Sequence, residues 1–405
     1  MFQRRDTPPP FSCSEPGSFA EHTLLVRLPE IARRVIEEND FSDWINRRIA
    51  ALIEEMPEGR IRLFNDPDAP DLDYWAIHLA PWLGKSWREL SFLACEMIFY
   101  RRVLEATRYF QPGDTYLVDP YGLQKQLGYN ASRLGVKELV QRLGQWREAS
   151  TRVEDALYET MDANLWANRA DLSIWPASEN SPEAFPNRLH QADEYLLAND
   201  LEQAVQWVCS GDGARKEIHF LIDNAGFELI HDLALADVLL TRQLAGRVVF
   251  HVKAHPMFVS DAIEGDVVQT VLKLCGEAER EVSDFGRRLE DYLAGNRLQV
   301  MSDFFWSAPL PCWDMPAHLE SLFSKSWLVI SKGDANYRRL TGDCHWPEDT
   351  SFREVVDYFP APVLALRVAK SEVIVGLQPG QALLLSARDP AWKTNGRWGL
   401  IQFRG

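Results

Sequence analysis

A chain of 405 residues is too long for one ordinary hydrophobic core, and two domains are the default expectation. With 46% hydrophobic and 25% charged residues it has the composition of a folded globular protein, not a disordered one. A net charge of −16 argues against nucleic acid or an anionic membrane as the main partner, since both need a basic surface. An anionic small substrate stays open, because a local Lys/Arg cluster together with a metal can reverse the field inside a cleft.

The N-terminal stretch MFQRRDTPPPFSCSEPGS has basic residues but no apolar core, so it does not read as a secretory signal. Residues 1–18 are expected as a flexible Pro/Ser-rich arm. From Phe19 to about Ala170 the pattern is helical, giving an expected helical domain over 19–175. Pro29 suits the first turn of a helix whose face is marked by Ile31, Val35 and Ile36. Ile45, Ile49, Leu52, Ile53 and Met56 keep the 3.6-residue period in the next one. Ser86 with Glu89 forms a capping box ahead of the run LSFLACEMIFYRRVLEA. Glu96 stands in the middle of that hydrophobic run, where a partly exposed or Arg-paired carboxylate is the plainer explanation.

Residues 173–186, SIWPASENSPEAFP, carry three prolines and no period, and are the predicted linker into an α/β domain over 176–405. A helix through Leu201, Ala204, Val205 and Val208 comes next. Strands are predicted at Ile218–Ile222, Arg247–Val252, Leu298–Met301, Trp327–Ser331, Val363–Arg367, Ala382–Ser386 and Gly399–Phe403, with one long helix from about Val267 to Leu293. Such alternation predicts an α/β fold, a Rossmann-like, mainly parallel sheet flanked by helices, beside an N-terminal all-helical domain. The six cysteines are scattered without metal or disulfide spacing, and no run is long enough to span a membrane. A reducing, cytoplasmic setting is expected.

Chemistry concentrates after the predicted strand ends, where open α/β sheets bind ligands. Asp223 and Asn224 follow the strand Ile218–Ile222, and the next strand leads through KAHPMFVSDA to Lys253, Ser260 and Asp261. If the two strands are parallel neighbours, Asp223, Asn224 and Asp261 offer three oxygen ligands to a hard divalent cation. Each is also a good helix cap, which is the simpler alternative. In WLVISKGDANYRRLTGD, Gly333 lets backbone approach a ligand, while Lys332, Arg338 and Arg339 supply positive charge. Too few glycines are present for a P-loop. Arg367 and Lys370 leave the run LALRVAK, and a cation there would stabilise charge on a transferring phosphoryl group. His219 and His251 read as core histidines, with His255 on the loop beside Asp261. No Gly-x-Ser-x-Gly elbow or His-Glu-x-x-His site occurs.

Taken in order, IDNAGFELIHDLALADVLL, KAHPMFVSDA, SKGDANYRRLTGD and LALRVAK resemble the metal-dependent damage-control phosphatases of subfamily III, formerly a family of unknown function, whose human member is also called acidic residue methyltransferase. Thr23, Arg27 and Pro29, Glu96 with Tyr100 and Arg101, and the closing NGRWGLIQF extend the likeness over nearly the whole chain. The resemblance implies a divalent metal (Mn²⁺, Co²⁺, Ni²⁺ or Mg²⁺) on Asp223, Asn224 and Asp261. It implies substrate contacts from Asp223, Asn224, Asp334, Ala335, Asn336, Tyr337, Arg338 and Lys370, and a methyl-donor contact from Glu228 in the methyltransferase account. Two positions depart from the family pattern: Ala335 replaces a Leu, and Arg367-Val368-Ala369-Lys370 lacks the usual Thr. The expected activity is hydrolysis of small phosphomonoesters, sugar phosphates such as fructose 1-phosphate, with Asp223, Asn224, Asp261 and Lys370 catalytic. Whether Asp223 or a metal-activated water attacks is open at this stage. The rivals are an S-adenosylmethionine-dependent carboxyl methyltransferase and a non-catalytic sugar-phosphate sensor. Against the first, Gly211-Asp212-Gly213 precedes its strand instead of following it.

Overall fold

The computed structural model describes residues 7–167 and 193–405. Among these, seven strands form one sheet: β1 (Leu196–Asn199), β2 (Glu217–Leu221), β3 (Arg247–Lys253), β4 (Leu298–Asp303), β5 (Leu328–Lys332), β6 (Val363–Val368) and β7 (Gly399–Arg404). Their spatial order is β1-β7-β6-β5-β2-β3-β4. The five strands from β6 to β4 are mutually parallel, while β7 runs antiparallel to β6 and carries β1 beside it. The α/β expectation with a mainly parallel sheet is therefore met.

Strand sequence explains the layering. β5 and β6 are buried along their whole length, as parallel strands covered on both faces must be. Alternate residues serve opposite faces: Ile218, Phe220, Val248, Phe250, Leu364 and Leu366 join one apolar cluster, and Leu221, Val329, Val363 and Ala365 the other. The first cluster is covered by the helices Arg133–Arg147, Val153–Ala167 and Phe227–Thr241, among others. Leu28–Glu38, Asp43–Glu55 and Phe92–Thr107 cover the second. Both clusters thus combine residues from before position 168 with residues from after position 192. The predicted linker at 173–186 and the 175/176 boundary lie outside the described residues.

Three local expectations need correction. Ala382–Ser386 is not a strand but part of the helix Gln381–Arg388. Its Gln, Ala, Leu and Arg are strong helix formers, and a short apolar run does not distinguish the two states. The long helix over 267–293 is two helices, Glu264–Cys275 and Arg280–Ala294, broken after Gly276. They pack so closely that a Cβ on Gly286 would strike the backbone of Cys275. The arm is held over residues 7–18, where Pro10 bridges to Cys344 and Ser12 to Ser91. Four-residue β1 was not foreseen at all.

Chain order places the site. From β2 the chain moves outward through β3 and β4, then returns to β5 on the other flank of β2 and continues to β6. The β2/β5 junction is a topological switch point, and a crevice opens at the carboxyl ends of such strands.

Candidate active site

The end of β2 delivers Asp223 and Asn224 into that crevice. The loop after β3 folds back beside them: Ala262 N donates to Asp223 O at 2.8 Å, Ala225 N to Ser260 O at 2.7 Å, and Asn224 bridges to Asp261. Lys253 N donates to Ala262 O at 3.0 Å and closes the loop at its base. Its tip holds Phe258 at φ 48° and Val259 at φ 66°. Positive φ is costly for a β-branched residue, so packing must hold this turn. It does: Met257, Phe258 and Val259 are buried, and Phe258 lies against Tyr100 with ring centroids 4.9 Å apart.

β5 supplies the next piece. Gly333 has φ 75°, and a Cβ on it would run into the Asp223 carboxylate. The helix Gly333–Thr341 starts at this contact, so its unsatisfied N–H groups lie at the crevice. Asp334 receives Arg367 Nη2 at 2.7 Å and Lys370 N at 3.1 Å, which joins the end of β5 to the end of β6. Burial alone would raise the Asp334 pKa, but the Arg367 and Arg338 guanidiniums hold it below the ordinary carboxylate range. Arg338 makes a two-pronged contact with Asp343, at 2.9 and 2.8 Å, and a third bond to Glu96. Glu96 is the reverse case: burial pushes its pKa up, only partly offset by Arg338 and Arg27.

These parts enclose one cavity of about 430 Å³ including its mouth. Asp223, Asn224, Asp261, Asp334, Ala335, Arg338 and Lys370, all candidates from sequence, line it together. Tyr337, Asn336 and Glu228 do not. Tyr337 donates its hydroxyl to Gln402 Oε1 at 2.8 Å. Asn336 donates to Leu221 O, Ile222 O and Lys332 O and so pins the ends of β2 and β5. Glu228 sits behind Asn224, accepting from Asn224 Nδ2 at 2.8 Å and from Lys332 Nζ at 2.8 Å. His255 is turned toward Asp71, 3.4 Å from its Oδ2, while His219 and His251 bond each other at 2.8 Å inside the sheet. Residues not singled out as site candidates also line the cavity: Phe19, Phe92, Phe258, Ser371 and Arg27. Arg27 lies on a π-helical turn, Thr23–Arg27, a widened turn often found at functional sites.

Among the described residues no three His, Cys, Asp or Glu side chains group closely enough for a metal. The candidate set differs in kind, because its third donor is an amide. Asn224 turns Nδ2 toward Asp223 and Glu228 and accepts from Ser260 Oγ at 2.5 Å on Oδ1. Two carboxylates and an amide oxygen around one cavity are hard donors that fit a hard divalent cation. Two of the lining carboxylates are already paired from behind: Lys253 Nζ lies 3.1 Å from Asp261 Oδ2 and Arg367 Nη2 2.7 Å from Asp334 Oδ1.

Residues 23–385 match the family described as the damage-control phosphatase ARMT1-like domain. The chain is 30% identical over 435 residues to the damage-control phosphatase ARMT1 of Danio rerio, covering 98% of this chain and 97% of the relative. It is 29% identical over 443 residues to the Homo sapiens protein of that name, covering 98% and 99%. A crystal structure of a DUF89 family protein from Pyrococcus horikoshii aligns over 94% of this chain and 97% of its own, at 12% identity and a TM-score of 0.49.

Proposed function

The chain belongs to the ARMT1-like damage-control phosphatase family, and we propose that it is a divalent-metal-dependent hydrolase of small phosphomonoesters, sugar phosphates such as fructose 1-phosphate among them. The observation that carries this is the meeting of Asp223, Asn224 and Asp261, from two separate segments, in one cavity with Lys370. Asp223, Asn224 and Asp261 would hold Mg²⁺, Mn²⁺, Co²⁺ or Ni²⁺. When bound, such an ion supplies Lewis-acid polarisation of a phosphoryl oxygen and lowers the pKa of water.

The chain's own groups do the rest. Lys370, which lines the cavity, would hold a phosphoryl oxygen by charge and hydrogen bonding. The first N–H groups of the helix Gly333–Thr341 add a donor surface for the same anion. Arg338 contributes field more than direct contact, since Asp343 and Glu96 already take three of its N–H groups. Glu228 acts as a positioning residue, holding the Asn224 amide from behind. The expected compartment is the cytoplasm, which the free state of all six cysteines supports.

The test is a metal-by-substrate panel on purified protein, scoring released phosphate. EDTA is expected to abolish turnover and one of the four metals to restore it. Asp223→Ala turnover with metal present at the wild-type rate would remove the assignment.

A further inference from the structure

Behind the cavity lies a buried cluster that the proposed reaction leaves unused. Glu228, which holds the Asn224 amide, accepts from Lys332 Nζ at 2.8 Å, and the same Nζ lies 3.3 Å from Asp232 Oδ1. Asn164 Nδ2, from the helix Val153–Ala167, donates to that Asp232 oxygen at 2.8 Å. Lys332, Asp232 and Asn164 are fully buried, and Glu228 nearly so. Two oxygens are left over. Asp232 Oδ2 and Asn164 Oδ1 have no hydrogen-bond partner among the described residues.

An ionised Asp232 is costly here in two ways. Two acids then share one buried ammonium, and both leftover oxygens are pure acceptors, so neither can serve the other. Buried acceptors without a donor destabilise the fold. A single proton on Asp232 Oδ2 removes both costs. Carboxyl and carboxamide are planar forks of matching shape, so a pair joined through one arm can close through the other once that proton is present. The charges then reduce to Lys332 against Glu228. The charged and titratable groups packed round Asp232 are Lys332 from β5, and Glu228 and His231 from its own helix, with Arg142 acting on His231 from the helix Arg133–Arg147. Burial raises the Asp232 pKa from 3.8 to about 7, opposed by Lys332 and the Asn164 amide and assisted by Glu228.

Building on the reading of Asn224 as a metal donor, we propose that Asp232 works as a neutral carboxylic acid paired with Asn164, and that it positions Asn224 by leaving the Lys332 charge to Glu228. Ionised, it would compete with Glu228 for Lys332 and loosen the hold on the Asn224 amide. Asp232 is thus a positioning residue that acts through Lys332 and Glu228.

The experiment uses the full chain and Asp232→Asn, whose carboxamide copies the neutral acid but cannot ionise. A folded pKa above the unfolded one means that the folded chain keeps a proton the unfolded chain has lost, so this group costs the wild type stability as pH rises from about 4 to about 7. In chemical denaturation, the variant-to-wild-type ratio of unfolding constants is expected to fall at least about tenfold from pH 5 to pH 7. A flat or rising ratio overturns the proposal, because an Asp232 ionised in an ordinary ion pair gives no such fall. Asp232→Leu also cannot ionise and should show the same slope if the amide variant does not fold. Failure of both uncharged variants to fold at pH 5 overturns the proposal as well. Calorimetric titration of Mn²⁺ tests the positioning. The variant-to-wild-type ratio of dissociation constants for Asp232→Asn should fall about tenfold from pH 6 to pH 8, the size seen for lost partners behind a metal ligand. A flat ratio there overturns the positioning role. If the wild-type chain binds no Mn²⁺, the metal reading falls, and the stability slope, which needs no metal, still decides the protonation.

Discussion

Gly333 is the position where a single carbon atom decides the most. Its φ of 75° lies in the left-handed region, and its missing side chain leaves room for the Asp223 carboxylate. Gly333→Ala is therefore expected to move Asp223 as well as strain the backbone, weakening metal affinity at least tenfold. A titration of Mn²⁺ by calorimetry checks this without reference to turnover. Lys370 should behave differently. It lines the cavity beside Ser371 but is not among the oxygen donors, so Lys370→Ala should raise KM for a phosphomonoester while the metal titration stays near wild type. Equal losses in both measurements would place Lys370 in the metal site instead of on the substrate.

Among the elements, the N-terminal strap is the least expected contributor. His345 N donates to Pro9 O at 3.0 Å, Phe11 N to Asp343 O at 2.9 Å, and Phe92 N to Phe11 O at 2.8 Å. Phe11 thus bridges the residue that holds Arg338 and the start of the helix that carries Glu96. Three such bonds contribute about 3 kcal/mol in total at roughly 1 kcal/mol each. A chain shortened to begin at Ser14 should lose more than that in denaturant unfolding, since the Cys13 N to Leu90 O bond at 3.1 Å and the buried Phe11 and Cys13 side chains go with it, and should show lower kcat/KM as well. Wild-type kinetics in the shortened chain would make the strap a matter of stability alone. Nothing in its Pro/Ser-rich composition announced the strap, because its partners are backbone groups about eighty residues away or more. By contrast, Asp223, Asn224 and Asp261 could be read from strand-then-polar patterns, since each follows a strand in its own segment. Asn336 and Tyr337 sat in the same motif as Arg338, yet the helix turns them away from the cavity to Leu221, Ile222 and Gln402. Helical phase, which a short motif does not fix, separates them.

At the scale of the molecule, the layer beneath the site is held by buried charge and its acid response follows from it. Lys332 Nζ reaches Glu228 at 2.8 Å, Asp232 at 3.3 Å and Asn164 O at 3.2 Å, and Asn164 Nδ2 donates to Asp232 at 2.8 Å. The helix Val153–Ala167 is thereby fastened to the switch point, a contact no local pattern predicts. His231 lies on the same helix as Glu228 and Asp232, and its Nδ1 donates to the Phe227 carbonyl, 3.0 Å away. Burial takes its pKa from 6.5 down to about 4, with Lys332 and Arg142 adding to the shift while the Phe227 carbonyl and Glu228 oppose it. Because the folded value is the lower one, the unfolded chain binds a proton that the folded chain refuses once pH falls below about 6.5. Stability is complete above that pH, declines between about 6.5 and about 4, and levels off below, by on the order of 3 kcal/mol for this group. His251, whose pKa burial and then His219 also depress, adds to the same acid loss. Replacing the ring by Leu removes one of these protonations without adding a charge. His231→Leu should therefore narrow the gap in unfolding free energy between pH 7 and pH 5 relative to wild type, whatever its effect on stability at pH 7. Chemical denaturation of both proteins at the two pH values decides it, and an unchanged gap would mean that His231 is not held neutral by its burial.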